Sequence, residues 1–276
     1  MKDEASAVLA ENKQLRNQNR ALRQELSALY ASRWWRFRPR ALVRRQHRAG
    51  ESIGSSVVGP DVSPPPSVDD GTVRSRFTTE VLPLLTVTRD SFTDRIVDLE
   101  PIASLLDRSP ARILEIGSYE GMSACYFLWR LSEAELTCID TFTGGLADRA
   151  ASMHASLEQT FDHNIAVLDT GRVTKIVADS RAALVDLQGQ GARFDLIYVD
   201  GSHLGLDVLV DAALSWRLLG DGGFLVFDDY RWNDAGDDPL LRPGPAIDAV
   251  LALLEGKHDV LHKGAQVAIR KRTEAP

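Results

Sequence analysis

The sequence predicts an α/β fold: a doubly wound, mostly parallel, seven-stranded sheet of Rossmann-like type, with an N-terminal coiled-coil helix ahead of it. Three observations carry that expectation. Short, nearly continuous apolar runs alternate with helical patterns from residue 112 to residue 255, as a parallel sheet covered on both faces requires. One of these runs, Ile113, Leu114, Glu115 and Ile116, passes directly into a glycine turn and a helix. The first four heptads of the chain carry an apolar seam of their own.

In that opening stretch Val8, Leu15, Leu22 and Leu29 repeat every seven residues, and Ala5, Asn12, Asn19 and Leu26 fill the companion position. Seam asparagines favour one register and a parallel dimer at some cost in stability. Residues 1–32 are therefore expected to form a homodimer or to pair with a partner such as a glycosyltransferase; a single helix docked on its own domain is the plainer alternative. Residues 33–48 interleave arginines with Trp34, Trp35 and Phe37, a pattern suited to contact with a membrane surface or to service as a solvated docking tail. Residues 49–75, with Pro60, Pro64, Pro65 and Pro66, read as a flexible linker. Residues 76–272 are the folded domain.

Charge divides along the same boundary. The first 48 residues hold 12 Lys/Arg against 4 Asp/Glu, the remainder 20 against 35, and the whole chain carries −7. A basic arm on an acidic body suggests two parts with different tasks, and that body argues against nucleic acid as a ligand. Two cysteines, Cys125 and Cys138, build no disulfide framework and read as small core residues of a reducing compartment. No apolar run spans a bilayer and no signal peptide opens the chain, so a cytoplasmic location is expected, peripheral at the inner membrane face if the arm binds lipid.

Helical segments at 78–85 and 90–106 precede the sheet. Strands are then expected at 112–116, 135–139, 173–177, 194–199 and 223–227, alternating with helices at 122–131, 150–168, 180–187, 204–218 and 245–255. A final pair at 258–262 and 265–270, joined at Lys263 and Gly264, reads as a hairpin that adds one antiparallel strand at the sheet edge.

Candidate chemistry sits at the strand ends. A strand feeding a glycine turn at a helix N-terminus presents backbone N–H groups to a ligand. Gly117 lets that turn bend and Gly121 permits close approach. A dinucleotide site would need a third glycine where Tyr119 stands, so the turn suits a nucleoside without a pyrophosphate, and Glu115 can accept from a cationic amino group. Asp140 can take a ribose diol; capping the next turn is its other reading. Asp179 and Ser180 suit an adenine amino group, or simply an N-cap. The next two strands end in YVDGSH and VFDDY, gathering Asp200, Asp228, Asp229 and His203. Like charges so close are costly; a divalent cation such as Mg²⁺ would relieve them, with His203 one helical turn away as general base.

Together these residues resemble class I S-adenosylmethionine-dependent methyltransferases over about 78–271. YVDGSH followed by LLGDGGFLVFDDY is similar to the metal-dependent sugar O-methyltransferases of the macrocin and mycinamicin type and to the cephalosporin-hydroxylase-like group; DTFTGG, Phe161 and Asn164 add to that likeness. The resemblance implies S-adenosyl-L-methionine on Glu115, Gly117, Ser118, Gly121, Asp140, Thr141, Asp179 and Ser180. It further implies Mg²⁺ or a similar cation on Asp200, Asp228 and Asp229, His203 as base, and a sugar hydroxyl in a glycan or glycosylated metabolite as methyl acceptor. Two alternatives stand beside it: a coil-tethered assembly module that binds cofactor without catalysis, and a metal-independent methyltransferase of small molecules.

Overall fold

The computed structural model describes residues 70–106, 110–144, 151–168, 171–233, 236 and 238–273. The coil, the basic aromatic segment and nearly all of the linker lie outside the described residues. Helix α1 (Asp70–Arg76) runs into a π-turn at Phe77–Val81 and a short 3-10 turn at Leu82–Leu84, and a second 3-10 turn, Thr93–Arg95, leads into α2 (Ile96–Leu106). There follow β1 (Arg112–Ile116), α3 (Met122–Arg130), β2 (Glu135–Asp140), α4 (Ala151–Leu168), β3 (Val173–Val177) and α5 (Ser180–Gly189). The order closes with β4 (Phe194–Val199), α6 (Gly205–Leu218), β5 (Leu219–Phe227), α7 (Pro243–Leu253), β6 (His258–Lys263) and β7 (Val267–Lys271).

The seven strands lie in the order β3-β2-β1-β4-β5-β7-β6. Strands β1 to β5 pair in parallel, while β7 runs antiparallel to both β5 and β6. The reversed strand is thus one place in from the edge, and the sheet edge itself is β6, which corrects the expected position. Apolar residues on successive positions of the central strands explain this layout. Val267, Ala268 and Ile269 of β7 are all fully buried, whereas Val260 on β6 is 51% exposed, so β7 belongs inside the sheet and β6 tolerates solvent.

Alternate residues of each strand feed two cores. Ile113, Leu136, Cys138, Leu196, Tyr198, Phe224 and Val226 pack on one face under α2, α3 and α4. Leu114, Ile116, Ile139, Ile197, Val199, Leu225 and Phe227 pack on the other under α5, α6 and α7. Each large apolar side chain buried this way contributes roughly 1.5–3 kcal/mol, so both faces hold the strands flat against helices and leave only the strand ends free. One ion pair is sealed into the first core: Glu100 of α2, with no exposed surface, meets Arg130 of α3 at 2.8 Å and accepts from the Tyr126 hydroxyl at 2.8 Å. Both cysteines are buried and free, as small core residues. Among the described residues no helix is long and apolar enough to cross a membrane.

Candidate active site

Strand register brings the candidate residues to one rim. Ile116 pairs with Ile139 and with Val199, and Val199 pairs with Phe227. The residues that follow, Gly117, Asp140, Asp200 and Asp228, therefore emerge at the same level. Backbone bonds extend the ladder one step, from Gly117 N–H to Ile139 O at 2.8 Å and from Asp200 N–H to Ile116 O at 2.8 Å. Over this edge opens a cavity of about 950 Å³, near the upper end of the range for small-molecule sites and roomy enough for a nucleoside with a second ligand.

The glycine turn is locked from both sides. Gly117 has φ +88°, and a Cβ there would stand 2.1 Å from the Asp200 carbonyl oxygen, so glycine alone lets β1 and β4 meet backbone to backbone. Gly121, φ +84°, instead makes room for the Phe161 ring, 3.0 Å from where its Cβ would be; the close approach expected for a ligand is a packing contact with α4. Several N–H groups of the turn already have partners. Asp140 Oδ2 accepts from Ser118 N–H and Tyr119 N–H, both at 2.8 Å, Asp140 Oδ1 accepts from Phe142 N–H at 2.7 Å, and Gly121 N–H donates to Ser118 O. Asp140 is thus first a brace for the turn, with about one lone-pair site left for a ribose hydroxyl. Thr141, at the cavity wall, pairs its hydroxyl with that of Thr143 at 2.8 Å.

Glu115 does not line the cavity. It is wholly buried, its Oε2 3.5 Å from Cys138 Sγ, and its Oε1 has no partner among the described residues. The Ser118 hydroxyl, also buried and unpartnered, does reach the cavity wall. Of the two, only the Ser118 hydroxyl can meet a cofactor bound in the cavity. Burial pushes the Glu115 carboxyl up to about 7 from 4.5, with the Asp140 charge adding to the rise. A raised folded-state value means that ionisation opposes folding, so stability falls as pH climbs from about 4.5 through 7 and then levels off. Glu115→Gln removes that loss: the unfolding free energy of the variant should match the parent near pH 4 and exceed it by up to about 3 kcal/mol at pH 8. Equal pH slopes for the two proteins would refute this.

Asp179 acts as N-cap of α5, accepting from Arg181 N–H, and is clamped by the Arg181 guanidinium at 2.9 Å. The Ser180 hydroxyl donates to buried Asp211 at 2.7 Å, a carboxyl that burial raises to about 6. Both residues line the cavity, but Asp179 already has the backbone partner of the N-cap alternative and Ser180 a distant one, Asp211.

At the other end of the cavity, ligand atoms of Asp200, His203 and Asp229 all lie within 4.8 Å of one another. His203 Nε2 is 2.6 Å from Asp229 Oδ2, and its ring stacks on Trp232 at 4.6 Å. It sits in the loop before α6 rather than on the helix. Asp229 has φ +56°, a left-handed conformation that costs a non-glycine residue and clusters at functional sites. Asp228, expected as a third cation ligand, is not part of the group. Its oxygens accept from the Tyr198 hydroxyl at 2.8 Å, from Asp229 N–H at 2.8 Å and from Arg95. Asp228 thus fixes the strained residue next to it.

Arg95 was not legible in the sequence. It reaches from the turn before α2, with Nε 2.9 Å from Asp228 Oδ1 and Nη2 2.9 Å from Asp229 Oδ1. The rim's titration reflects this. Burial, then the charges of Asp228 and Asp229, hold Asp200 well above the usual carboxylate range. Burial and Asp229 raise Asp228, opposed by Arg95. In Asp229 burial is outweighed by His203 and Arg95, and the net shift is downward. Asp200 accepts no hydrogen bond among the described residues, and two carboxylates with an imidazole suit an oxygen-preferring divalent cation completed by water. The carboxylates of Asp200 and Asp229 fit such an ion, with the His203 imidazole beside them.

Comparison with known proteins agrees with this layout. Residues 114–230 match a family model described as "Methyltransferase domain". An uncharacterised protein of Acanthamoeba polyphaga mimivirus is 26% identical over 166 residues, covering 58% of this chain and 68% of the viral one. Cofactor-bound Rv0187 from MTB superposes with TM-score 0.52 at 17% identity, over 78% of this chain and all of that one. The MycE methyltransferase of the mycinamycin biosynthetic pathway, in complex with Mg and SAH, gives 0.50 at 16% identity over 74% of this chain; the match spans only 54% of MycE. Sheet order, glycine turn and family match converge: the chain has a Rossmann-like methyltransferase fold, within which residues 114–230 match a methyltransferase-domain model.

Proposed function

We propose that this chain is a divalent-metal-assisted O-methyltransferase acting on a sugar hydroxyl of a glycan or glycosylated metabolite. The observation that supports it most is the meeting of Asp200, His203 and Asp229 on the same cavity as the glycine turn. The cofactor supplies an electrophilic methyl on a sulfonium, and Asp200 with Asp229 would hold a cation that lowers the pKa of an oxygen acid. With Nε2–H donating to Asp229, as the 2.6 Å contact allows, His203 keeps Nδ1 free to take the acceptor's proton. Asp229 then stabilises the imidazolium. A bound cofactor would supply the methyl group to the acceptor oxygen and depart as a neutral thioether. Trp232 offers an aromatic wall beside the base, and the sugar acceptor rests on the motif resemblance. On this reading the coil pairs chains or recruits a glycosyltransferase, and residues 33–48 hold the enzyme at an anionic membrane face.

Methyl transfer to a glycoside panel, with and without EDTA, tests the metal. Chelation should lower the rate at least tenfold, a few kcal/mol of lost charge stabilisation being at stake, and Mg²⁺ should restore it. A metal-independent reading has one observation in its favour, the guanidinium already seated on Asp228 and Asp229; turnover indifferent to EDTA would select it.

A further inference from the structure

We infer that Arg95 is the internal counter-ion of the cation site, a positioning residue that keeps divalent binding weak enough for the ion to exchange between turnovers. The inference rests on the metal-assisted reading above. Arg95 is held ready rather than swinging freely. Asp90 accepts from Phe92 N–H at 3.1 Å and Thr93 N–H at 2.9 Å, and Arg95 N–H donates to Phe92 O at 2.7 Å, which sets the turn that carries it. Its side chain keeps 27% exposure, against 5% for Asp228 and 17% for Asp229, so it faces the cavity from the same side as the open carboxylates.

Charge balance gives the consequence. Asp200, Asp228 and Asp229 together carry three negative charges when ionised, and Arg95 leaves two, which one divalent ion neutralises. Without Arg95 the loaded site would retain an uncompensated negative charge and hold the ion harder. Even at the dielectric constant of water, a unit charge ~6 Å from a divalent ion alters affinity about tenfold. A residue that merely propped up the rim would act in the opposite sense, since its loss would loosen the ligands.

Mn²⁺ binding to the full chain, followed by the electron paramagnetic resonance signal of the free ion at pH 8 and low salt without cofactor or acceptor, separates these cases. Arg95→Gln should bind Mn²⁺ at least tenfold more tightly than the parent, and Arg95→Lys, which keeps the charge, should stay within about threefold. Arg95→Met carries the expectation of Arg95→Gln should the glutamine variant not fold by circular dichroism. Unchanged or weaker binding by a folded neutral variant overturns the counter-ion role. Mn²⁺ binding by neither protein defeats the metal reading itself, whereas binding by the neutral variant alone upholds the counter-ion while removing the metal from the parent's reaction.

Discussion

His203→Ala is expected to lower kcat for methyl transfer by about 10²–10⁴-fold, the usual contribution of a positioned general base, with cofactor affinity and the urea midpoint little changed. The separation follows from placement. His203 stands at the Asp229 and Trp232 end of the cavity, away from the turn at 117–121 where the nucleoside is expected, and its side chain is 36% exposed, so little packing is lost with it. Asp229→Asn should approach the same loss by another route. An amide can donate to Nε2 and so favour the wrong tautomer, and it leaves the Arg95 guanidinium without its second carboxylate. Single-turnover rates at one pH, set beside cofactor affinity for the same variants, are the measurement: the rate should fall by that factor while binding holds. A variant with full turnover would remove the base assignment outright.

The alternation of strands and helices could be read from the sequence because both sheet faces are covered. Runs such as Ile197, Tyr198 and Val199 must then be apolar at every position. The place of the reversed strand could not, since a hairpin written in sequence does not say which of its strands will dock on β5; that is settled by burial of Val267, Ala268 and Ile269. Strand-end acceptors were visible as residue types, but their local partners were not weighed heavily enough. Asp140 is committed to the turn after the neighbouring strand β1, and Ser180 to Asp211. Arg95 lay beyond reach because its carboxylates are 133 and 134 residues distant in sequence and nothing in the local pattern singles out one arginine among many. Asn164, noted only for its likeness to relatives, proves to be a buried tie: its amide donates to Thr86 O and Glu120 O, and its oxygen accepts from Thr86 N–H.

Gly117→Ala should be the most damaging single methyl in the domain. The two glycines of the turn share a left-handed backbone, so each pays about 1–2 kcal/mol for a side chain on conformational grounds. Their neighbours differ. At Gly121 the added carbon meets a Phe161 ring atom at 3.0 Å, and a ring can tilt; at Gly117 it meets the Asp200 carbonyl oxygen at 2.1 Å and the Gly201 Cα at 2.5 Å. Main chain can yield only by parting β1 from β4, which stretches the bond from Asp200 N–H to Ile116 O. With roughly 1 kcal/mol for the hydrogen bond lost added to the conformational cost, destabilisation of about 2–3 kcal/mol is expected for Gly117→Ala, against about 1–2 kcal/mol for Gly121→Ala. Gly191, left-handed with nothing within 4 Å, supplies the conformational cost alone. Chemical denaturation of the three variants reads the ladder. A Gly117→Ala midpoint no lower than that of Gly191→Ala would mean that the two strand ends do not touch, and Asp200 would then lose the contact that sets it beside His203 and Asp229.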